Sequence, residues 1–274
     1  MHKIAFLGAG NMGSAMLRAI ISTNSESAEN IYIYDRDTEK MNSFAKETGV
    51  NACLSAVDAA NVADVIFLAV KPDVIDFVLN EIKTVLNTDK YIVSIAAGVT
   101  VSRMLAIIGE DAAVVRSIPN LPAQIGAGIT GLFYYNFADD NKSAESKIYI
   151  QKLFESFGKT VTVAKEKMID EMIAVTSSSP AYFCLFIEAM ADAAVKAGFS
   201  RKDAYVMAEQ AMYGTSKLML ETGIHPAVLK DNVCSPAGTT IEAVAALEAG
   251  GLRACVIDAM EACQKKAVRK EGYV

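Results

Sequence analysis

Tryptophan is absent from the chain, and histidine occurs only twice, as His2 and His225. Two histidines so far apart argue against a histidine-rich metal site, and no metal is expected. The five cysteines (Cys53, Cys184, Cys234, Cys255 and Cys263) are odd in number and form no CxxC pair. That pattern reads as reduced thiols in a cytoplasmic protein, not as a disulfide framework. No run approaches the ~18 apolar residues of a membrane span. Met1-His2-Lys3-Ile4-Ala5-Phe6-Leu7 lacks a signal-peptide layout, so neither membrane insertion nor secretion is expected. An excess of positive charge is missing too. The net charge of -6 argues against nucleic acid as a partner.

What is present is apolar bulk. Hydrophobic residues make up 52% of 274 residues, enough for one large domain or two smaller ones with a substantial core. Lys3–Leu7 reads as a short apolar strand. It runs into Gly8-Ala9-Gly10-Asn11-Met12-Gly13 and then a helix through Ile21. Strand, glycine turn and helix are the context that gives GxGxxG its meaning as a dinucleotide site. Gly8 permits the tight turn, Gly10 lets backbone approach a pyrophosphate, and Gly13 lets helix pack on strand.

The second strand, Ile31-Tyr32-Ile33-Tyr34-Asp35, ends in an acid 22 residues beyond Gly13, where the ribose-reading acid of this motif belongs. Asp35 favours the free ribose hydroxyls of NAD. Arg36 follows at once and suits the 2′-phosphate of NADP or a stack on adenine. The two point in opposite directions, so both NADH and NADPH stay open, and Asp35 also has a plain helix-capping reading. Further strands are expected at Val62–Val70, Tyr91–Ile95, Val114–Ile118 and Gly131–Tyr135. Lys71-Pro72 follows the first of these at a carboxyl end where ligands bind in open sheets, and Pro72 reads as a helix start. Ala96-Ala97-Gly98 closes the next strand with residues small enough for a flat ring to approach. Asn120, in Pro119-Asn120-Leu121-Pro122, suits either a bond to a carboxamide or ribose or a simple Asx turn. Strands alternating with helices predict an α/β Rossmann-type domain with a parallel doubly wound sheet.

After Val163 no strand pattern of note follows. Lys167–Ala197, Ser200–Thr222, Ala227–Asp231, Thr240–Leu247 and Gly251–Lys270 read as helices. The expected division is residues 1–163 for cofactor binding and 164–274 for an all-α unit. The helical half is short, and Met190, Met207, Met212, Met219 and Met260 mark apolar faces that it cannot bury alone, so an intertwined homodimer is expected. Pro180 should break the first long helix beside Thr176-Ser177-Ser178-Ser179. His225, followed by Pro226, reads as a cap or loop residue. In Cys234-Ser235-Pro236-Ala237-Gly238-Thr239-Thr240 a sharp turn feeds a helix. Thr239 with Glu242 reads as a capping box, and the helix start with its hydroxyls reads as a carboxylate site.

Taken together, these motifs resemble pyrroline-5-carboxylate reductase over nearly the whole chain. The marks are the glycine turn, Leu68-Ala69-Val70-Lys71-Pro72, Ala96–Thr100, Pro119–Pro122, Ser179-Pro180-Ala181-Tyr182, His225-Pro226, Leu229-Lys230-Asp231 and Val233–Thr240. The resemblance implies a Rossmann domain, a helical dimerisation domain, rings of dimers in many members, and hydride transfer from NADPH or NADH to a cyclic imine carboxylate. It further implies a substrate carboxylate on the N–H groups of Gly238, Thr239 and Thr240. Thr240 would bond the ring nitrogen as the catalytic residue. Ser235 and Ser178 would line the pocket, Ser178 supplied by either protomer, and Val70, Ala97 and Asn120 would border the nicotinamide. The chain departs from the family pattern at Ala237, Ser177 and Ser179, where glycine is usual, and at Ala56, where an asparagine commonly meets the cofactor ribose. Two other readings remain. A β-hydroxyacid dehydrogenase shares the glycine turn but needs a Lys-xxx-Asn helix that is not found after residue 164. A non-catalytic NAD(P)-binding regulator is kept open by the serine substitutions.

Overall fold

In the computed structural model, which describes residues 2–138 and 140–270, the first strand β1 (Ile4–Leu7) is buried at every position. Its side chains alternate between two cores. Ile4 and Phe6 enter one, Ala5 and Leu7 the other. A strand buried on both faces is what a sheet covered by helices on each side requires. The strands β2 (Ile31–Tyr34), β3 (Asn51–Ala52), β4 (Val65–Leu68), β5 (Tyr91–Ser94), β6 (Ala113–Pro119), β7 (Gly128–Tyr135) and β8 (Gly158–Thr162) complete one sheet, in the order β3-β2-β1-β4-β5-β6-β7-β8.

Helices α1 (Asn11–Ser22), α2 (Thr38–Thr48) and α6 (Asn141–Glu155) cover one face. There Phe6 stacks on Phe67 at 4.4 Å and Phe67 meets Phe154 at 5.7 Å. Helices α3 (Ala56–Val62), α4 (Ile75–Ile82) and α5 (Val101–Ile108) cover the other. β1 lies between β2 and β4, with Leu7 opposite both Tyr34 and Leu68. The strand order reverses there, which opens a crevice at the carboxyl ends of β1 and β4.

Two expectations change. The run Val62–Val70 is not one strand. Ser55 accepts the Asp58 N–H at 3.0 Å and starts α3, which takes Val62, and the strand is confined to Val65–Leu68. The sheet is also not wholly parallel. β7 runs antiparallel to β6, with Val115 opposite Tyr134. Only a short 3-10 helix, Leu121–Ile125, with Gly126 at φ 74°, joins them, too short for a parallel crossover.

Beyond β8 the chain forms α7 (Lys167–Met172), a π turn at Ile173–Ser177, and α8 (Ser179–Lys196) with Pro180 in its first turn. The break expected at Pro180 therefore takes the form of a π turn just ahead of it. The stretch Lys167–Lys196 is long and apolar enough to cross a membrane by length and composition alone. Asp170, Glu171 and Glu188 interrupt it, so it holds no unbroken apolar run of that length.

The chain divides into two compact units. One runs to Ser177 and includes the chain again from Gln264; the other is Ser178–Cys263. The strands end at Thr162, yet the first unit continues. Ile169 packs with Ile118 and Val163, and Asp170 pairs with Arg116 on β6. The second unit holds α8, α9 (Arg201–Thr222), α10 (Pro226–Val233), α11 (Thr239–Ala249) and the first part of α12 (Leu252–Lys270). It buries little of its own apolar surface. Phe183, Leu185, Met190, Val206 and Met207 are all exposed, and only alanines, Ala191, Ala204 and Ala208, are buried on α8 and α9.

Candidate active-site elements

The glycine turn sits at the crevice. Gly8 has φ 107°, and a Cβ there would stand 2.6 Å from the Ala69 carbonyl oxygen. Only glycine accepts both constraints. A Cβ on Gly13 would lie 2.7 Å from the Gly8 carbonyl oxygen, which fixes how closely α1 approaches β1. Gly10 differs. A Cβ there meets no atom within 4 Å, and Gly10 caps α1 without any side-chain acceptor. The first N–H groups of α1 are thus left without a side-chain partner beside open space, as a pyrophosphate requires. The residues present fit a dinucleotide.

A cavity of about 270 Å³ lies alongside, lined by Gly8, Gly10, Asp35, Arg36, Val70 and Lys71 among others. Six of the expected cofactor residues are therefore brought together. Asp35 is more committed than its sequence position suggests. Its Oδ2 accepts the Ala9 N–H at 2.6 Å and its Oδ1 the Asp37 N–H at 3.0 Å. The helix-capping role belongs instead to Asp37, which accepts the Lys40 N–H. Arg36 lies over the exposed ring of Phe77, 4.5 Å from its centre. Sequence reasoning missed Phe77, because an aromatic on α4 reads as core.

Other expected residues lie elsewhere. Asn11 and Met12 are in the first turn of α1, outside this cavity's lining. Pro72 does not start a helix; it lies in the turn closed by the Val74 N–H to the Lys71 carbonyl at 2.9 Å, before α4 begins at Ile75. Ala56 is buried in the first turn of α3. Ala97 is exposed in the turn after β5. Asn120 is buried and bonded at both ends of its amide, accepting the Ile129 N–H at 2.9 Å and donating to the Thr176 carbonyl at 3.0 Å. It is neither an Asx turn nor an open ligand contact. It holds the carbonyl of a residue in the π turn.

In the helical unit the turn before α11 departs from the expected capping box. Gly238, not Thr239, is the N-cap, and no side chain caps the helix. Glu242 therefore stands one position too far along to close the box. Thr239 and Thr240 are the first two residues of α11, with N–H groups that have no side-chain acceptor. A carboxylate meets that arrangement better than it would a filled cap. Ala237 has φ 54°, one of three non-glycine residues in the left-handed region among the described residues. A Cβ on Gly238 would come within 2.3 Å of Ser235 Oγ. At the head of α8, Ser178 Oγ lies 3.2 Å from Cys263 Sγ. Burial, then the hydrogen bond and charge of Cys263, hold the Tyr182 phenol above its ordinary range, while Ser178 pulls it back. His225 is the N-cap of α10, its Nδ1 accepting the Ala227 N–H at 3.2 Å, which matches the cap reading.

A parallel-dominated sheet, a glycine turn at its switch point and a trailing helical unit define a dinucleotide-dependent oxidoreductase of the Rossmann type. Residues 166–270 match the family model for pyrroline-5-carboxylate reductase dimerisation. Residues 3–98 match the model described as NADP oxidoreductase, coenzyme F420-dependent. Pyrroline-5-carboxylate reductase of Escherichia coli (strain K12) is 44% identical over 97% of this chain and 97% of its own. The solved pyrroline-5-carboxylate reductase of Coxiella burnetii superposes with a TM-score of 0.93 at 31% identity, covering 98% of each chain. That of Plasmodium falciparum, solved with NADP bound, gives 0.81 at 31% identity over 99% of this chain and 98% of its own. The chain belongs to the pyrroline-5-carboxylate reductase family.

Proposed function

We infer that the chain reduces the C=N bond of 1-pyrroline-5-carboxylate to give L-proline, the last step of proline biosynthesis, with NADPH or NADH. The observation that carries this is family membership over 97% of the chain, together with a glycine turn shaped for a dinucleotide. When bound, the cofactor supplies the hydride that C5 of the ring receives. The cyclic imine is readily protonated, so the protein's task is mainly to hold the ring in place and exclude water.

The residues divide that work. The first N–H groups of α1, after Gly8 and Gly10, hold the pyrophosphate. Asn11, Met12 and Gly13 shape that turn. Asp35, Arg36, Val70, Lys71 and Pro72 hold the rest of the dinucleotide, and Ala97 borders the nicotinamide. Asn120 supports the site from behind through Ile129 and Thr176. Gly238, Thr239 and Thr240 take the substrate carboxylate on their N–H groups, with Ser235 and Ser178 lining the pocket. Thr240 bonds the ring nitrogen and assists its protonation. The division of labour falls near residue 164, with α7 as the start of the substrate-binding and dimerisation half. The exposed apolar faces of α8 and α9 support an intertwined homodimer, and rings of such dimers are the assembly we propose, in the cytoplasm.

Thr240→Ala tests the site. Loss of a group assisting proton transfer should lower kcat by roughly ten- to a thousandfold. A variant with wild-type kcat would remove Thr240 from proton transfer while leaving the activity itself intact.

A further inference from the structure

An arginine in the middle of a buried strand is costly unless its charge is met. Arg116 on β6 is 1% exposed. Its Nη1 donates to Glu166 Oε1 at 3.0 Å and to Asp170 Oδ2 at 3.1 Å, and its Nη2 donates to Asp170 Oδ1. Asp170 is itself buried, so the Arg116–Asp170 pair alone satisfies the fork geometry of a guanidinium on a carboxylate. Glu166 does something more. The same oxygen that meets Arg116 also accepts the Val101 N–H at 2.7 Å.

Val101 is the first residue of α5 and closes the turn Ala96–Thr100. Thr100 caps the Arg103 N–H, 3.2 Å away, and leaves the Val101 N–H to be satisfied from outside the helix. Among the described residues its acceptor is Glu166, 65 residues further along the chain. The turn so tied carries Ala97, exposed after β5, and Gly98 at φ 74°.

We propose that Glu166 is a positioning residue for hydride transfer: held by Arg116, it tethers the start of α5 and so fixes the turn bearing Ala97 against the nicotinamide. The proposal rests on the reading of Ala97 as a nicotinamide neighbour. Glu166 touches neither cofactor nor substrate in this scheme. Its carboxylate acts on the Val101 N–H, and the buried Arg116 keeps that carboxylate from swinging away.

The experiment compares Glu166→Ala, Glu166→Gln and Val101→Pro in the full-length protein. Gln keeps an acceptor for the N–H. Pro removes the donor while leaving Arg116 paired with Glu166 and Asp170, and the extended Thr100 (ψ 156°) before a first-turn position accepts it. Because small misplacements of reacting groups are expensive, Glu166→Ala and Val101→Pro should each lower kcat roughly tenfold or more, with the KM for pyrroline-5-carboxylate and the Kd for NADPH little changed. Glu166→Gln should keep most of the wild-type kcat. The fluorescence enhancement of bound NADPH reads nicotinamide placement without turnover. It should fall in Glu166→Ala and Val101→Pro and persist in Glu166→Gln, even if wild type failed to reduce pyrroline-5-carboxylate and the functional reading fell. Wild-type kcat and enhancement in Glu166→Ala or in Val101→Pro would overturn the proposal. So would equal damage in Glu166→Gln and Glu166→Ala, or a loss spread evenly over kcat, KM, Kd and melting temperature. If Glu166→Ala does not fold, Val101→Pro and Glu166→Gln carry the test alone.

Discussion

Asp35 Oδ2 accepts the backbone N–H of Ala9 at 2.6 Å, so the acid at the end of β2 is bonded to the glycine turn after β1. β1 and β2 are thereby joined by more than their ladder. Whatever Asp35 does for a ribose, it also holds the glycine turn. The glycines of that turn then have separable roles, and so do the charges beside it.

Gly8 and Gly10 should fail in different ways when replaced by alanine. At Gly8 the positive φ and the Ala69 carbonyl both oppose a Cβ, so Gly8→Ala should cost about 2 kcal/mol or more of stability. Gly10 faces open space, so Gly10→Ala should leave the melting temperature near wild type yet weaken NADPH binding by roughly tenfold, about 1.4 kcal/mol. Thermal melts and NADPH fluorescence titrations separate the two. A Gly10→Ala protein that binds NADPH as wild type does would move the pyrophosphate elsewhere.

Arg36 lies over Phe77 beside the cavity, while both oxygens of Asp35 already accept backbone N–H groups. A guanidinium at this edge suits a 2′-phosphate. Removing a charge-assisted bond worth about 1.5–3 kcal/mol, Arg36→Ala should reduce kcat/KM for NADPH by roughly ten- to a hundredfold. NADH should be nearly unaffected. Steady-state rates with each cofactor decide this, and an equal loss with both would assign Arg36 to the adenine instead.

Ala237 occupies left-handed backbone in the turn that leads into α11. An L-residue there costs about 1–2 kcal/mol. Glycine recovers that but loses about 0.5–1 kcal/mol of chain entropy. Ala237→Gly should therefore stabilise the protein by about 0.5–1 kcal/mol and leave the turn's shape unchanged. A raised melting temperature with an unaltered KM for pyrroline-5-carboxylate is the expected result. A lower melting temperature would show that the Ala237 methyl makes contacts that outweigh the backbone strain.

Much of this was legible in the sequence, for reasons that are local. Strand, glycine turn and helix are encoded within residues 3–22, and a Cβ clash is a property of neighbours in space that the GxGxxG spacing already implies. The helices after residue 164 follow from period and punctuation, and Ala237 stood out because a glycine was expected there. What stayed hidden depends on distant partners. Nothing around Asn120 announces that its amide will be used up by Ile129 and Thr176. The direction of β7 depended on the length of the link after Pro119, and the true cap of α11 on a register of one residue. The tether from Glu166 to Val101 spans strands and helices that only the fold brings together. Its one sequence signal was Arg116 itself, a charge amid Val114, Val115 and Ile118.

The reaction itself is tested by following NADPH and NADH oxidation by the purified protein with 1-pyrroline-5-carboxylate, with proline measured in the same samples. Proline should form in step with cofactor consumed, with no consumption without the imine. An absence of turnover with both cofactors would contradict the proposed reaction.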